Sequence, residues 1–454
     1  MSKSVTERLV VFAQEWAAKG VPVDLAHEAK RLLLNQLKAS VCATEHEAIA
    51  HLQDWAVPIG TTKDCAHVLW LGSEVEPAKA AVVNGALFEV LDFHDTYIPC
   101  FMHATSAVLP ALMAAAEVEG QSGKDVITAL ALGMEVELAV ASMLMPTAYY
   151  RGYVPAGLAG GVGAAAACSI LAGLDEEQMR NALGIAMCTA FGTYVSVGSM
   201  TLSYITGVTS QSGYNAYQLA RRGFDAPVTA FEGDKGMFVT HSDEDKAKIE
   251  LVLDSLGKTW RIHGQSYKTV PTETITHGPI ECVLKVLETA NGRDVERMCF
   301  GVQPIVKEIV DERLERFGDP NTELTARFDL CFCAAAAWRR GRFTFAEMQE
   351  PAYTDPDILA LRSRVELIPD ESRETFDGCS LEVMFTDGST ESCEVEAFLG
   401  SPGRRITDEQ LSDLFRSIAG SVLPEDRCNA ILDAVWGLDT APDINHLVSL
   451  LTLK

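Results

Sequence analysis

A nearly continuous succession of helical patterns occupies the first half of this 454-residue chain. Apolar residues recur at helical spacing, and between the segments stand the Gly and Asp residues that end one helix and cap the next. A region with so many helices can bury its apolar faces only by packing helix on helix. The predicted helices are 7–19, 25–43, 76–91, 105–119, 123–144, 162–172, 176–189 and 208–221.

The pattern changes after Trp260, where short alternating segments typical of strands appear between helical ones. Helical patterning returns at Thr407, a capping residue with Gln410 three positions later. We therefore expect a mainly α protein, with a large, discontinuous all-helical bundle domain (1–265 and 400–454) and a smaller α+β domain (266–399). In the smaller domain we predict strands at 296–302 and 364–368, a hairpin of 381–385 with 392–398, and helices at 279–290 and 326–339.

Charge and composition narrow the possible partners of this chain. Its formal net charge of -26 argues against binding to a nucleic-acid backbone or to an anionic membrane. Twelve cysteines without CxxC pairs are typical of reduced, mostly buried thiols, and the N-terminal residues lack the apolar core of a signal peptide. We expect a cytoplasmic protein.

A run rich in small residues between Pro155 and Gly173 could be mistaken for a membrane span or a phosphate loop. It is built of Gly and Ala with few large apolar side chains, and the spacing of its glycines does not match the dinucleotide fingerprint. Close packing of a helix in a protein core explains the composition better. We expect no membrane segment and no nucleotide cofactor.

The clearest functional signal is a polar break between two apolar helical segments. Asp92, Asp95 and His103 fall in this break, which we call the elbow, and Thr96 lies among them. A carboxylate beside an imidazole in a low-dielectric setting is a common arrangement for moving protons. The alternative is a helix cap with a satisfied core histidine.

Several motifs along the chain resemble the MmgE/PrpD family, beginning with the segment from Asn84 to Pro110. The resemblance implies a two-domain homodimer that works without metal or organic cofactor and acts on small polycarboxylates by moving a proton on the carbon next to a carboxylate. Known activities are 2-methylcitrate dehydratase, cis-aconitate decarboxylase and iminodisuccinate epimerase. The other motifs are Glu117–Asp125, Gly160–Ala167, Asn181–Ala186, Gln211–Gly213, Lys268–Pro271 with Thr276 and His277, and Ala326–Phe328.

The resemblance also implies roles for individual residues. Asp92, Thr96 and His103 fall on family positions that line the site, and Lys268 falls on another, supplied from the second domain. We predict His103, Lys268 and Asp92 as catalytic residues and Thr96 as a substrate-binding residue.

Four positions depart from the pattern of the lyase members. Val154 and Leu202 stand where those members have a histidine and a lysine, and Glu273 and Phe332 replace a histidine and a tyrosine. Valine and leucine cannot donate protons or bind carboxylates, so an elimination would lose its acid. This loss favours an epimerase of the iminodisuccinate epimerase type, with a lyase or a catalytically inactive scaffold homologue as alternatives.

The remaining candidates come from polar residues near these positions. An epimerase needs one group to remove the proton next to the carboxylate and a second group to return a proton from the opposite face. Tyr149 and Tyr150 are further candidates for this pair of catalytic groups. For His277, a structural role at the start of a helix is favoured over a catalytic role. The aromatic and basic side chains at residues 149–151 could also be the solvent-exposed end of a helix. No His, Cys, Asp or Glu set has the spacing of a metal site, because His94 and His103 lie far apart in sequence. The predicted substrate-binding residues besides Thr96 are Arg151, Tyr204, Glu273 and His277.

Overall fold

The computed structural model describes residues 3–56 and 64–452. The chain divides into two compact units, the larger formed by Met1–Gln265 with Thr407–Lys454 and the smaller by Ser266–Ile406. Over the described residues the protein is mainly helical with small sheets, which confirms the predicted fold class. The larger unit resumes at Thr407, where the sequence expectation was residue 400.

Helices account for most of both units, and α13 to α18 belong to the smaller one. In chain order the helices are α1 (Val5–Lys19), α2 (Val23–Ser40), α3 (Glu47–Ala56), α4 (Pro77–Glu89), α5 (Ala104–Glu119), α6 (Gly123–Leu144), α7 (Thr147–Tyr150), α8 (Pro155–Leu171), α9 (Glu176–Cys188), α10 (Thr201–Arg221), α11 (Met237–His241), α12 (Lys246–Ser255), α13 (His277–Leu287), α14 (Pro304–Phe317), α15 (Glu323–Arg327), α16 (Leu330–Arg340), α17 (Glu350–Tyr353), α18 (Pro356–Arg362), α19 (Asp408–Ala419), α20 (Glu425–Trp436) and α21 (Asn445–Leu450). The strands are β1 (Ala66–His67), β2 (Glu74–Val75), β3 (Thr96–Tyr97), β4 (Gln265–Ser266), β5 (Val295–Val302), β6 (Val365–Pro369), β7 (Cys379–Phe385) and β8 (Thr390–Val395).

Helix α8 lies at the centre of the larger unit, packed against α5, α6, α9 and α10. Its glycines bring α6 very close: a Cβ on Gly163 would lie 2.5 Å from Cβ of Glu137, and one on Gly133 would lie 2.6 Å from Cβ of Ala167. No larger side chain fits at either position. Close helix packing, and not a phosphate loop, is therefore the role of this run of small residues.

Helix α6 is the one described helix that is long and apolar enough to cross a membrane. Of its most apolar window, 89% is buried inside the protein, as in the core helix of a soluble protein. It packs against α8 and α5. Its length and composition are therefore explained by its central position in the bundle.

A four-stranded sheet organises the smaller unit, in the order β6-β5-β7-β8. Strand β5 pairs parallel with β6 and antiparallel with β7, and β7 pairs antiparallel with β8. The predicted hairpin is confirmed: its turn holds Gly388 at φ 84°, and the amide of Phe385 donates to the carbonyl of Ser389 at 2.9 Å. A positive φ at this turn suits glycine.

Some predicted element bounds are wrong for local physical reasons. Helix α8 begins at Pro155, not at residue 162, because the proline suits the first helical turn and packing overrides the low helix propensity of the glycines. The single helix predicted at 326–339 is two helices. The Asp329 side chain accepts a hydrogen bond from the amide of Phe332 at 2.8 Å and so starts α16 anew.

Candidate functional site

The elbow between α4 and α5 reverses the chain within the larger unit. Helix α4 ends at Glu89, α5 begins at Ala104, and the backbone between them has positive φ at Asp92 (46°) and Phe101 (53°). Aspartate tolerates this left-handed conformation better than most residues. The reversal brings the polar residues on both sides of the break together.

The ring of His103 is held in a defined orientation at the start of α5. Its Nδ1 lies 2.9 Å from the carbonyl oxygen of Asp95 and 3.2 Å from Oγ1 of Thr96. Because a carbonyl oxygen can only accept, Nδ1 must carry a hydrogen, so that Nε2 is the nitrogen that gains or loses a proton as the ring changes between imidazolium and imidazole. The ring is half-buried. His103 therefore presents an orientated nitrogen that can accept or return a proton.

His94, which the sequence analysis gave no role, lies beside His103 and is fully buried. Its Nε2 is 3.6 Å from Oε2 of Glu89 and 3.5 Å from Oδ1 of Asp92. Ligand-type atoms of Glu89, His94 and His103 all lie within 4.8 Å of one another. His94 and His103 are therefore neighbours although they lie far apart in sequence, because the elbow folds them together; the expectation of no metal site stays a prediction.

The first turn of α5 faces two of these carboxylates. The hydroxyl of Ser106 lies 3.2 Å from Oε2 of Glu89, and the amide of Thr105 donates to Oδ2 of Asp95 at 3.4 Å. Amide hydrogens and the dipole at a helix N-terminus favour negative charge there. The carboxylates of the elbow are therefore stabilised in part by the helix that follows them.

A buried cation also lies next to the elbow. Lys38 of α2 is fully buried, and its Nζ is 3.6 Å from the ring centroid of Phe93, the residue between Asp92 and His94. This is close enough for a cation–π interaction. The elbow is therefore not purely acidic, in spite of the strongly negative chain.

Glu137 of α6 is a further acidic group that the sequence analysis missed. It is fully buried, and its two carboxyl oxygens have no hydrogen-bond partner among the described residues. Burial, with a smaller contribution from the charge of Asp95, raises its pKa well above the usual 4.5. The signal was available, because Glu135 and Glu137 are isolated charges in an otherwise apolar helix.

The predicted aromatic residues form a cluster that adjoins the elbow through Phe101. The rings of Phe101 and Tyr149 have centroids 5.0 Å apart, and the Tyr149 hydroxyl donates to that of Tyr194 at 3.2 Å. Tyr150 is 62% exposed and Arg151 is also exposed. Tyr149 is thus in contact with the elbow through Phe101, while the side chains of Tyr150 and Arg151 are exposed to solvent.

The two departures in the larger unit lie at helix starts. Val154 is the buried residue that precedes α8, and Leu202 is half-buried in the first turn of α10. Tyr204, predicted to bind substrate, is 43% exposed two residues further on. Both positions are apolar, as the sequence indicated.

The smaller unit holds the other predicted residues. Lys268 is fully buried, and the carboxylate of Glu273 forms an ion pair with the guanidinium of Arg313. His277 is the first residue of α13, as predicted; its Nε2 lies 3.4 Å from the carbonyl oxygen of Thr272. Because Arg313 already balances the charge of Glu273, this carboxylate has a structural partner of its own. Its role in substrate binding stays a prediction.

Two family models match this chain. The MmgE/PrpD N-terminal domain matches residues 7–250, and the MmgE/PrpD C-terminal domain matches residues 270–438. Together they span most of the sequence. The family resemblance seen in the motifs is therefore confirmed.

Similar proteins carry the name cis-aconitate decarboxylase or cis-aconitate decarboxylase-like protein. The chain is 26% identical to the cis-aconitate decarboxylase-like protein oryM of Aspergillus oryzae, over 99% of this chain and 97% of that protein. It is 25% identical to cis-aconitate decarboxylase of Homo sapiens (99% and 95%) and of Aspergillus terreus (98% and 96%). These names favour the lyase alternative over the epimerase hypothesis.

Proposed function

Because the chain belongs to the MmgE/PrpD family, we propose that it is a lyase that removes carbon dioxide or water from a small polycarboxylate related to cis-aconitate. The observation that carries this proposal is the orientation of His103, whose Nδ1–H is held by the carbonyl of Asp95. Its Nε2 is then the group that exchanges a proton with substrate carbon.

The proton balance of a decarboxylation fits a single orientated imidazole. When the bond to a carboxylate breaks and CO2 leaves, its electron pair remains on the substrate and must be met by a proton at carbon. The His103 imidazolium supplies that proton from Nε2 and becomes neutral. Asp92 and the Thr96 hydroxyl are proposed to position substrate and ring.

Substrate carboxylates need cationic partners in a protein of this net charge. We propose that the buried ammonium of Lys268 binds one of them, which makes the lysine selective for anionic substrates. Tyr149 is proposed as a second proton carrier, since it packs on Phe101 of the elbow. Tyr150, Arg151, Tyr204, Glu273 and His277 stay candidates for substrate contacts.

An epimerase remains the second candidate because of Val154 and Leu202. Both are apolar where the family resemblance implies a histidine and a lysine in lyase members. An epimerase needs one group to remove the proton and one to return it from the other face, and nothing leaves. His103 and Tyr149, or His103 and Lys268, could form that pair.

Proton NMR in deuterium oxide separates these reactions. The purified chain is incubated with cis-aconitate, 2-methylcitrate and a panel of amino- and hydroxydicarboxylates. Loss of CO2 or water with new olefinic signals supports the lyase. Deuterium uptake at the α-carbon with no new product supports the epimerase, and no change in any substrate supports a catalytically inactive homologue.

The assembly and location are also proposed. We propose a homodimer, because the segment before α10 exposes apolar side chains: Val195 is 72% and Phe191 41% exposed. Light scattering after size exclusion tests this directly. A cytoplasmic location is proposed from the twelve cysteines, which stand without CxxC pairs, and is tested by fractionation.

A further inference from the structure

We propose that Glu135 of α6 is a positioning residue for the elbow, and that it acts through a short 3-10 helix at Arg261–Gly264, which we call the 261–264 turn. The side chain of Glu135 is buried, and its Oε1 accepts a hydrogen bond from the amide of Ile262 at 2.7 Å. This inference rests on the proposed function in one respect only, that His103 moves the proton. The contacts themselves are independent of the reaction.

A carboxylate in the middle of the apolar helix α6 needs a compensating interaction, because burial without one is costly. Burial raises the pKa of Glu135 to about 7, although hydrogen bonds from the backbone of Ile262 and Arg261 oppose this effect. Both the protonated and the ionised form keep an oxygen that accepts from Ile262. An apolar side chain in its place would leave the buried amide of Ile262 without this partner.

The 261–264 turn packs tightly against Tyr97 of β3. Gly264 has so little free space that a Cβ there would lie 2.7 Å from Cε2 of the Tyr97 ring. The guanidinium of Arg261 donates to Oγ of Ser255, the last residue of α12, at 2.6 Å. The turn is thus held by α6 through Glu135 and by α12 through Arg261. A displacement of the turn therefore displaces the surface against which the Tyr97 ring packs.

Tyr97 also closes the elbow through its backbone. Its amide donates to the carbonyl of Met102 at 2.7 Å, and its carbonyl accepts from the amide of Met102 at 3.2 Å. Thr96 precedes one residue of this bridge and His103 follows the other, which places Oγ1 of Thr96 3.2 Å from Nδ1 of His103. The position of the bridge therefore sets the orientation of the His103 ring. A small misplacement of a catalytic group is enough to slow a reaction strongly.

Two substitutions of Glu135 test this path. Glu135→Leu removes the acceptor, whereas Glu135→Gln keeps an oxygen that can accept and removes the charge. Hydrogen exchange of the full-length protein should be at least about tenfold faster in Glu135→Leu at the amides of Ile262, Tyr97 and Met102, because local opening becomes easier. Its kcat should fall at least about tenfold while KM changes less than about threefold, since the groups that bind substrate carboxylates are not altered. Glu135→Gln should restore exchange and kcat to near the wild-type values.

Glu347→Leu is the matched control. Glu347 is also buried, and its Oε2 accepts from the amide of Thr344 at 2.7 Å, at the start of another short 3-10 helix in the smaller unit. This variant loses the same kind of hydrogen bond at a place that does not contact the elbow bridge. It should speed exchange only around residues 344–348, and it should leave kcat and the exchange of Tyr97 and Met102 as in the wild type.

Gly264→Ala tests the same path without changing Glu135, and it decides the proposal even if Glu135→Leu does not fold. The added Cβ would press on the Tyr97 ring, so exchange at Tyr97 and Met102 should rise and kcat should fall. Faster exchange confined to Ile262, with kcat unchanged, would overturn the proposal, and so would equal losses in Glu135→Gln and Glu135→Leu. Exchange is measured without substrate, so failure of the positioning role and failure of the proposed function are distinguishable.

Discussion

The imidazole rings of His94 and His103 meet edge to face, with 4.1 Å between their centroids and 78° between their planes. Both rings belong to the elbow, nine positions apart in the sequence, and His103 is the residue that precedes α5. Each ring therefore forms part of the wall that positions the other. The two side chains should act as one unit and not as two independent residues.

A double-mutant cycle should detect this coupling. His94→Gln and His103→Gln each remove a contact that the other ring also makes, so their effects on the free energy of unfolding should not add. The expected interaction energy is about 0.5–3 kcal/mol. Urea unfolding of the four proteins, the wild type, the two single variants and the double variant, measures it. Additivity within about 0.5 kcal/mol would show that the rings are energetically independent.

His103→Gln should lower kcat/KM by about 10²–10⁴, the usual contribution of a general acid or base. Glutamine fills a similar volume but cannot carry a proton between nitrogen and carbon. Initial rates on the substrate found by NMR give the effect. His67→Gln is the control, since His67 pairs with Glu117 outside the elbow, and it should keep wild-type activity. Equal activity in the two variants would contradict the assignment of His103.

Asp92→Asn separates the charge of Asp92 from its backbone conformation. Asn tolerates the positive φ of 46° as well as Asp does, so the variant should fold normally while activity falls at least about tenfold. Asp92→Ala removes both the charge and the tolerance of a positive φ. Its free energy of unfolding should therefore also fall by about 1–2 kcal/mol. Activity and urea unfolding are measured for both. Wild-type activity of Asp92→Asn would leave this residue a structural role only.

Periodicity predicted the fold well where packing and local propensity agree. The bounds of α6 match the prediction of 123–144, since its apolar pattern has a Ser122 cap at one end. The predicted start of α8 is too late in the sequence, because glycine has a low helix propensity and so suggests a helix end. In the structure these glycines lie inside α8, where the close packing of α6 leaves no room for a larger side chain. Helix α14 was missed, although Pro304 follows a Gln303 cap.

The site was predictable only in part. Asp92, Thr96 and His103 are near one another in sequence. Both the family motif of residues 84–110 and the polar break between two helices therefore predicted them as site residues. The contact of His94 with Glu89 depends on the reversal at Asp92, whose backbone conformation no periodicity encodes. Glu137 reaches this region from another helix. Such long-range contacts follow from packing, which a single sequence does not display.

Lys268→Met should reduce transition-state binding by about 2–4 kcal/mol, the range for loss of one charge-stabilising group. Methionine keeps most of the volume of the buried side chain but lacks the ammonium. Steady-state kinetics on the anionic substrate measures the loss. Lys307→Met, which removes a lysine paired with Asp311 on α14, should change kcat/KM little. An unchanged kcat/KM in Lys268→Met would remove this lysine from the mechanism.

Glu137→Gln should stabilise the protein increasingly as pH rises above about 4.5. The folded pKa of Glu137 is raised by burial and by Asp95, so folding favours the protonated form. This contribution to stability is complete below the unfolded pKa and is lost as pH rises toward the folded pKa, at up to about 1.4 kcal/mol per pH unit. Glutamine has the same shape and never ionises, so the variant escapes that loss.

Urea unfolding of wild type and Glu137→Gln at about pH 5 and pH 7.5 tests the prediction, because linkage makes the difference in unfolding free energy grow between the two conditions. Asp95 is retained in both proteins, and Glu15→Gln, on the exposed side of α1, controls for the loss of one surface charge. A difference between wild type and Glu137→Gln that is the same at both pH values would mean that Glu137 is ionised in the folded protein. It would then need a cation near it, and the acidic elbow would carry one more negative charge than its burial indicates.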